Sequence, residues 1–363
     1  MPDTSYPSIQ SVDSLFADGA WYEIHHGDLI EWDRRLQNTS ASLYQYPFWN
    51  EPFRKLFFQP RYLSFWLDNK QVAFVSVLTI GFLGVRIGLI RHGPVSLVED
   101  DNIPEDAWRK LELWAKRQRY IFLRFTGSDE EFLRIASTLK MSRRIDAFPL
   151  YPEESEELVV QQQVDDKPMF SALSGEARRQ IERAREVGYQ IAYSESPGDF
   201  ASVWPLFELM SSRKHINRRP CSFYQDLMTC GTQAGCCRLY TAKYRGEYVQ
   251  AILVARAGKT AYLIAAAIDA QKVKDDHSPS YLLHWHAMRD FSNLGATGYH
   301  LGNRSSDLVY RFKSRFKPSE IKTVPPVTLV TNPFLFGLWK SSVLKLGRPF
   351  LLWMRKNVQR RHN

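Results

Sequence analysis

The chain has 363 residues, 44% hydrophobic and 24% charged, with a formal net charge of +9 and a pI near 9.3. That composition describes a globular, soluble protein with a large core, and the length favours two domains over one. The positive excess suits a polyanionic partner such as a nucleic acid, a phosphorylated precursor or an anionic membrane surface.

Cys221, Cys230, Cys236 and Cys237 form no CxxC pair and match no histidine spacing, which argues against a zinc site or a disulfide framework. They read as reduced thiols of a cytoplasmic protein. The first residues, MPDTSYPSIQSVDSLFADG, lack a basic segment followed by an apolar core, so no signal peptide is expected.

In chain order, helical segments around Trp32 and over 48–58 precede strands at 62–67, 72–80 and 85–90. The apolar stretch from Val72 to Ile90 is nearly long enough to span a membrane. Its β-branched residues, Gly81 and Gly84 at a turn, and Arg86 predict two buried strands instead. A helix over 105–117 follows, with Trp108, Leu111, Trp114 and Ala115 on one face, then a strand at 120–125 and a helix at 130–139.

The second half repeats this order. Helices at 200–212 and 223–229 precede strands at 238–244, 248–257 and 261–268, then a helix at 280–294, a strand at 299–301 and a helix through Lys313. The expected fold class is α/β (α+β): two tandem domains over 1–160 and 168–325, each a mixed sheet flanked by helices. The acidic, Gln-rich stretch 152–168 reads as a solvated crossing segment. Residues 326–363 carry aromatic and basic residues without Asp or Glu, and predict either an amphipathic patch on an anionic membrane or a helix packed back across the domains.

Three stretches can carry chemistry. In "LSGEARRQIERAREVG", Ser174 is a helix N-cap, Ala177, Ile181, Ala184 and Val187 form a buried stripe, and Gly188 ends the helix. Arg178, Arg179, Arg183 and Arg185 lie off that stripe. They are either a solvated face paired with glutamates or a grip on phosphate or carboxylate. In "SSRKHINRRPCSFYQDL", His215 is a candidate base or a surface residue. Arg219, held extended by Pro220, has the better defined direction. In "GYHLGNRSSDLVYRFKSRF", Phe312 and Phe316 share a helical face and Lys313 points about 100° away from it. Lys313 alone would read as a surface lysine.

The arginine-rich run, "KHINRRPCSFY", "SPSYLLHWHAM", "GYHLGN" and "YRFKSRF" resemble, in order and spacing, the Fem-type aminoacyltransferases, as do "YQYPFW" and "RHGPV" in the first half. The resemblance implies two tandem GNAT-like domains and transfer of an amino acid from aminoacyl-tRNA to an amine of a peptidoglycan precursor, with no cofactor. It implies that Lys313, beside Phe312, stabilises the reacting carbonyl. It also implies that Arg219 contacts the phosphorylated precursor, assisted by Phe223 or Tyr224. Arg178, Arg179, Tyr262, Tyr281 and His300 complete the substrate-binding candidates. The expected partners are charged tRNA and a phosphorylated or lipid-linked cell-wall precursor. The expected state is a monomer in the cytoplasm or at the inner face of the plasma membrane.

One departure is that "YHLGN" offers His300 and Asn303 where the family carries an aspartate and a second glycine, which opens the identity of the acceptor. A CoA-dependent N-acyltransferase acting on an amino sugar or polysaccharide precursor is the alternative. Such enzymes hold pyrophosphate on a glycine-rich loop at a helix N-terminus. The matching stretch, "DAQKVKDDHSPSY" at 269–281, has no glycine, and "GPVSLVEDDNIPED" in the first half does not fit either. A second alternative is an inactive basic scaffold that binds RNA or membrane.

Overall fold

The computed structural model describes residues 19–24, 26–98, 103–127, 142–143, 156–162, 165–214, 218–273, 277–304 and 306–341. The helix expected at 130–139, His215 and the last residues of the basic tail lie outside them.

Two mixed sheets organise the chain. The first contains β1 (Ala20–Glu23), β2 (Gln59–Leu67), β3 (Lys70–Phe82), β4 (Val85–Arg91), β5 (Val95–Ser96), β6 (Tyr120–Gly127) and β7 (Ser142–Arg143). The second contains β8 (Glu156–Gln161), β9 (Gln190–Ser194), β10 (Cys237–Tyr244), β11 (Glu247–Ala257), β12 (Thr260–Ile268), β13 (Gly298–Asn303) and β14 (Ser319–Lys322), while β15 (Val324–Val330) returns to the first. Each sheet has an antiparallel meander, β2-β3-β4 or β10-β11-β12. A helix then leads to a parallel strand, β6 beside β4 or β13 beside β12. The repeated order read from the sequence is thus a repeated topology, an α/β fold with twin mixed sheets.

Local chemistry explains the elements. The apolar stretch 72–90 forms β3 and β4, joined where Leu83 and Gly84 take φ of 47° and 78°, the left-handed pair that a tight hairpin needs. The helix Glu105–Arg117 starts on acidic residues, ends on Lys116 and Arg117, and buries Ala107, Trp108, Leu111 and Ala115. In the helix Gly175–Val187 the Ser174 side chain accepts from the Ala177 N–H, and Gly188 closes the end at φ 81°.

The division expected at 160 and 326 needs correction. Residues 156–161 are strand, with Leu158, Val159 and Val160 buried between β13 and β14. The stretch 152–168 is therefore not all solvated, because pairing on both edges outweighs its polar neighbours. β15 pairs antiparallel with β6 of the first sheet, so residues 326–330 belong to the core rather than to a tail. Residues 333–341 form a helix whose Phe336 and Trp339 pack on Phe122, at ring separations of 5.6 and 4.8 Å, while Phe334 and Leu338 face outward. Among the described residues no helix is long and apolar enough to cross a membrane.

One core cluster joins the halves. Phe48, Trp49, Phe53 and Phe58 of the first half pack with Phe200, Phe207, Phe223 and Tyr224 of the second. Tyr46 Oη accepts the Gly258 N–H at 2.6 Å across the same boundary.

Candidate active site

Lys313 lies on the helix Asp307–Ser314, which follows the end of β13. Phe316 is fully buried and Phe312 packs against it at 5.4 Å. Tyr281, at the start of the helix Ser280–Asn293, stacks on Phe316 and packs tilted against Phe312. This anchoring turns Lys313 inward: the residue is only 8% exposed, and its Nζ donates to the Asn303 carbonyl at 2.8 Å. Gly302, at φ 81°, lets the strand end bend next to the ammonium; a Cβ there would stand 3.6 Å from Nζ. Burial pulls the Lys313 ammonium down to about 8.

His284 lies beneath the same helix, with Nδ1 2.8 Å from the Tyr299 hydroxyl. Burial, helped by the nearby Lys313 charge, pulls its imidazole down to about 3. It is therefore a neutral core group at physiological pH and does not compete with Lys313 for an anion.

A cavity of about 550 Å³ opens between the halves. From the first half it is lined by Ser42, His92 and Ser96, and from the second by Glu157, Tyr262 and His300, among others. Tyr262 stacks on His300 at 4.9 Å. Lys313 is not among the lining residues. It sits behind the wall, bonded to Asn303, which is the register partner of Glu157 across β13 and β8. The sequence reasoning aims Lys313 into a site; in the structure its ammonium meets the Asn303 carbonyl at the end of β13, the strand whose His300 lines this cavity.

The other sequence candidates fall into separate groups. Arg219 stands at the junction of the halves, its guanidinium 4.7 Å from the Phe223 ring, 4.9 Å from Phe53 and 5.5 Å from Trp49. Phe223 has no exposed surface and Tyr224 is buried against Phe200 at 5.0 Å. Both rings belong to the shared core, where Phe223 packs under the Arg219 guanidinium and Tyr224 stacks on Phe200. Arg179 is exposed and paired to Glu176 at 2.7 Å, and Arg178 is half-buried on the same turn. That turn meets the end of the Lys313 helix, where the Arg315 carbonyl accepts the Ser174 N–H and Arg315 donates to the Tyr281 hydroxyl.

His92 and Glu157 are absent from the sequence candidates. "RHGPV" contains His92, but nothing local distinguishes its imidazole, and Glu157 lies in the stretch read as solvated. Glu157 reaches His300 through the pairing of β8 with β13, and His92 meets them from the end of β4 in the other sheet. Among the described residues no group of three or more His, Cys, Asp or Glu is arranged to hold a metal ion.

The two halves repeat one mixed α/β topology, and a family model matches in the second. Residues 172–314 match the family described as an acetyltransferase (GNAT) domain. No curated protein matches the chain in sequence. Among solved structures, FemX superposes with a TM-score of 0.75 at 13% identity, covering 88% of this chain and 99% of its own. L-PGS from Bacillus licheniformis gives 0.55 at 12% identity, covering 88% and 97%. A tandem GNAT protein from the clavulanic acid biosynthesis pathway gives 0.50 at 10% identity, covering 86% and 98%. At these identities the likeness establishes the fold, and within the tandem GNAT class that fold is Fem-like.

Proposed function

We propose that the protein transfers an aminoacyl group from aminoacyl-tRNA to an amine of a peptidoglycan precursor. The observation that carries this reading is Lys313, a buried ammonium fixed by two phenylalanines at the end of β13 in a GNAT-type domain. Attack of an amine on an ester builds negative charge on the carbonyl oxygen. A preplaced, partly desolvated ammonium stabilises that charge by a few kcal/mol, about the worth of an oxyanion-hole donor. Arg219, rigid among three rings, suits a bidentate grip on the precursor's phosphate.

The stretch 269–281 supports this donor over acyl-CoA. It contains no glycine, so it lacks the small residues that let a loop's backbone N–H groups close on a pyrophosphate. Aminoacyl-tRNA also fits the +9 charge. The test offers the purified chain either charged tRNA or acyl-CoA, with a lipid-linked muropeptide or an amino sugar as acceptor, and follows product mass. Aminoacylated muropeptide from charged tRNA is the expected result. Product from acyl-CoA alone overturns the donor, and no product from any pair leaves the scaffold reading.

A lipid-linked acceptor would bring the enzyme to a membrane, and the outward Phe334 and Leu338 near Lys340 are the surface we assign to that contact. Changing both to Glu should abolish co-sedimentation with anionic phosphatidylglycerol vesicles. Undiminished co-sedimentation would remove the assignment.

A further inference from the structure

The cavity between the halves has a one-sided electrostatic character. Among the described residues Glu157 is the single carboxylate that lines it, and no described lysine or arginine does. The remaining polar lining groups are the imidazoles of His92 and His300, hydroxyls such as Ser42, Ser96 and Thr260, and the Gln161 amide. A phosphate would meet repulsion here, while a cation carried on a hydroxyl-rich or amide-rich molecule would be held.

Glu157 is clamped by an imidazole from each half. His300 Nδ1 accepts the Gly302 N–H at 3.0 Å. That nitrogen therefore bears the lone pair, and Nε2, 3.2 Å from Glu157 Oε2, carries the ring hydrogen. On the other side His92 Nε2 lies 3.4 Å from Glu157 Oε1. Burial alone would push the Glu157 carboxyl up, but His300 and His92 outweigh it and hold it well below the usual carboxylate range.

His92 is positioned at a conformational cost. It sits in the left-handed region at φ 50°, which a residue other than glycine keeps only when its surroundings enforce it. Its N–H donates to the Thr126 carbonyl at 2.6 Å, and its ring stacks on Tyr44 at 5.2 Å. Arg91 lies over the same Tyr44 ring at 3.5 Å and is the neighbouring cation. The ionisable groups facing His92 are then Glu157, His300, Tyr44 and Arg91, with Tyr262 behind His300.

We propose that this cavity receives the acceptor's primary ammonium and that His92, oriented by Glu157, takes its proton. The inference rests on the reading above, that an amine is acylated. With Nε2 of His92 held 3.4 Å from Glu157 Oε1, an ion-pair distance, we assign Nδ1 as the accepting atom, the division of labour by which a carboxylate orients a histidine base. One ammonium N–H bond breaks, its electron pair stays on nitrogen, and the proton passes to Nδ1. The amine lone pair then forms the C–N bond to the acyl carbon while the carbonyl π pair moves onto oxygen. Collapse breaks the bond to the donor's leaving atom, which receives that proton from His92; the nitrogen, cationic since it attacked, then gives its second proton to the freed Nδ1 and so to water, leaving the neutral amide.

The test uses the full chain with ¹⁵N-labelled histidine and n-butylammonium chloride as probe, with n-butanol as its neutral match. Butylammonium should shift the His92 resonances saturably, and butanol at least about tenfold less, the margin a single charge contact supplies. Glu157→Gln, shown folded by circular dichroism, should remove the difference. Lys313→Met should keep it, because Lys313 lies outside the cavity lining. Equal responses to the two probes, or none to either, overturn the ammonium site. In the transfer assay His92→Gln should lower kcat about 100-fold at pH 7, with KM little changed. Full rate in His92→Gln overturns the base. Absence of turnover with every donor would sink the proposed function while the spectra still report on the site.

Discussion

Lys313→Met should lower kcat about 100- to 1000-fold, the range for removing one oxyanion donor, while leaving the protein at least as stable as it began. The two halves of that expectation have one cause. Lys313 is buried beside Phe312 and Phe316 with the Asn303 carbonyl as its hydrogen-bond acceptor, and burial lowers its pKa from the usual 10.5 to about 8. The folded protein therefore binds this proton less tightly than the unfolded chain. The resulting cost is fully present below pH 8 and fades as pH rises from about 8 to the unfolded value. It is of the order of 3 kcal/mol by the pKa difference, partly offset by the bond to Asn303, and methionine of similar length removes it. The rate should also lose its alkaline limb. Wild-type activity falls as Lys313 discharges above about pH 8, and the Met variant has no such charge to lose. Urea titration and kcat from pH 6 to 10 measure both. Full activity in Lys313→Met, or an alkaline limb unchanged by it, would remove the lysine from the chemistry.

What the sequence makes legible depends on whether local pattern or long-range pairing decides. The helix Glu105–Arg117 and the meander β10-β11-β12 are readable because periodicity, charge at the ends and turn residues all agree. β8 and β15 are not. "EELVVQ" is embedded in acidic and amide residues, and "VPPVTLV" contains two prolines that locally speak against a strand. The first is strand because β13 and β14 both pair with it, and the second because β6 has an open edge. The site divides along the same line. The Phe312–Phe316 pairing is a local helical fact, but it places Lys313 about 100° off the anchored face, and the lysine is buried because the end of β13 offers it the Asn303 carbonyl. The His92-Glu157-His300 cluster needs β4, β8 and β13 to meet, and no window of sequence contains it. Phe223 and Tyr224 show the converse error: beside Arg219 in sequence they look functional, yet their rings are buried against Phe53 and Phe200.

That correction has a measurable consequence. Phe223→Ala should cost about 3–5 kcal/mol of stability, the usual loss for a fully buried phenylalanine. The ring has no exposed surface and meets Phe53 edge-on at 5.1 Å, so its removal opens a void where the first half's 47–58 segment docks on the second half. The neighbouring ion pair from Lys55 to Asp226, 2.6 Å long but half-exposed, is too screened to compensate. Arg219→Ala at the same junction should behave differently. Its guanidinium lies over three rings but is only half-buried, so its loss should cost about 1 kcal/mol or less, while KM for a phosphorylated acceptor rises at least about tenfold. If Phe223 instead touched substrate, Phe223→Leu, which refills most of the volume at a cost of about 1–1.5 kcal/mol, would still show a large KM defect. Packing alone predicts near-normal KM for the leucine variant and a raised one for Arg219→Ala, so urea midpoints and KM values for the three variants separate the support from the contact.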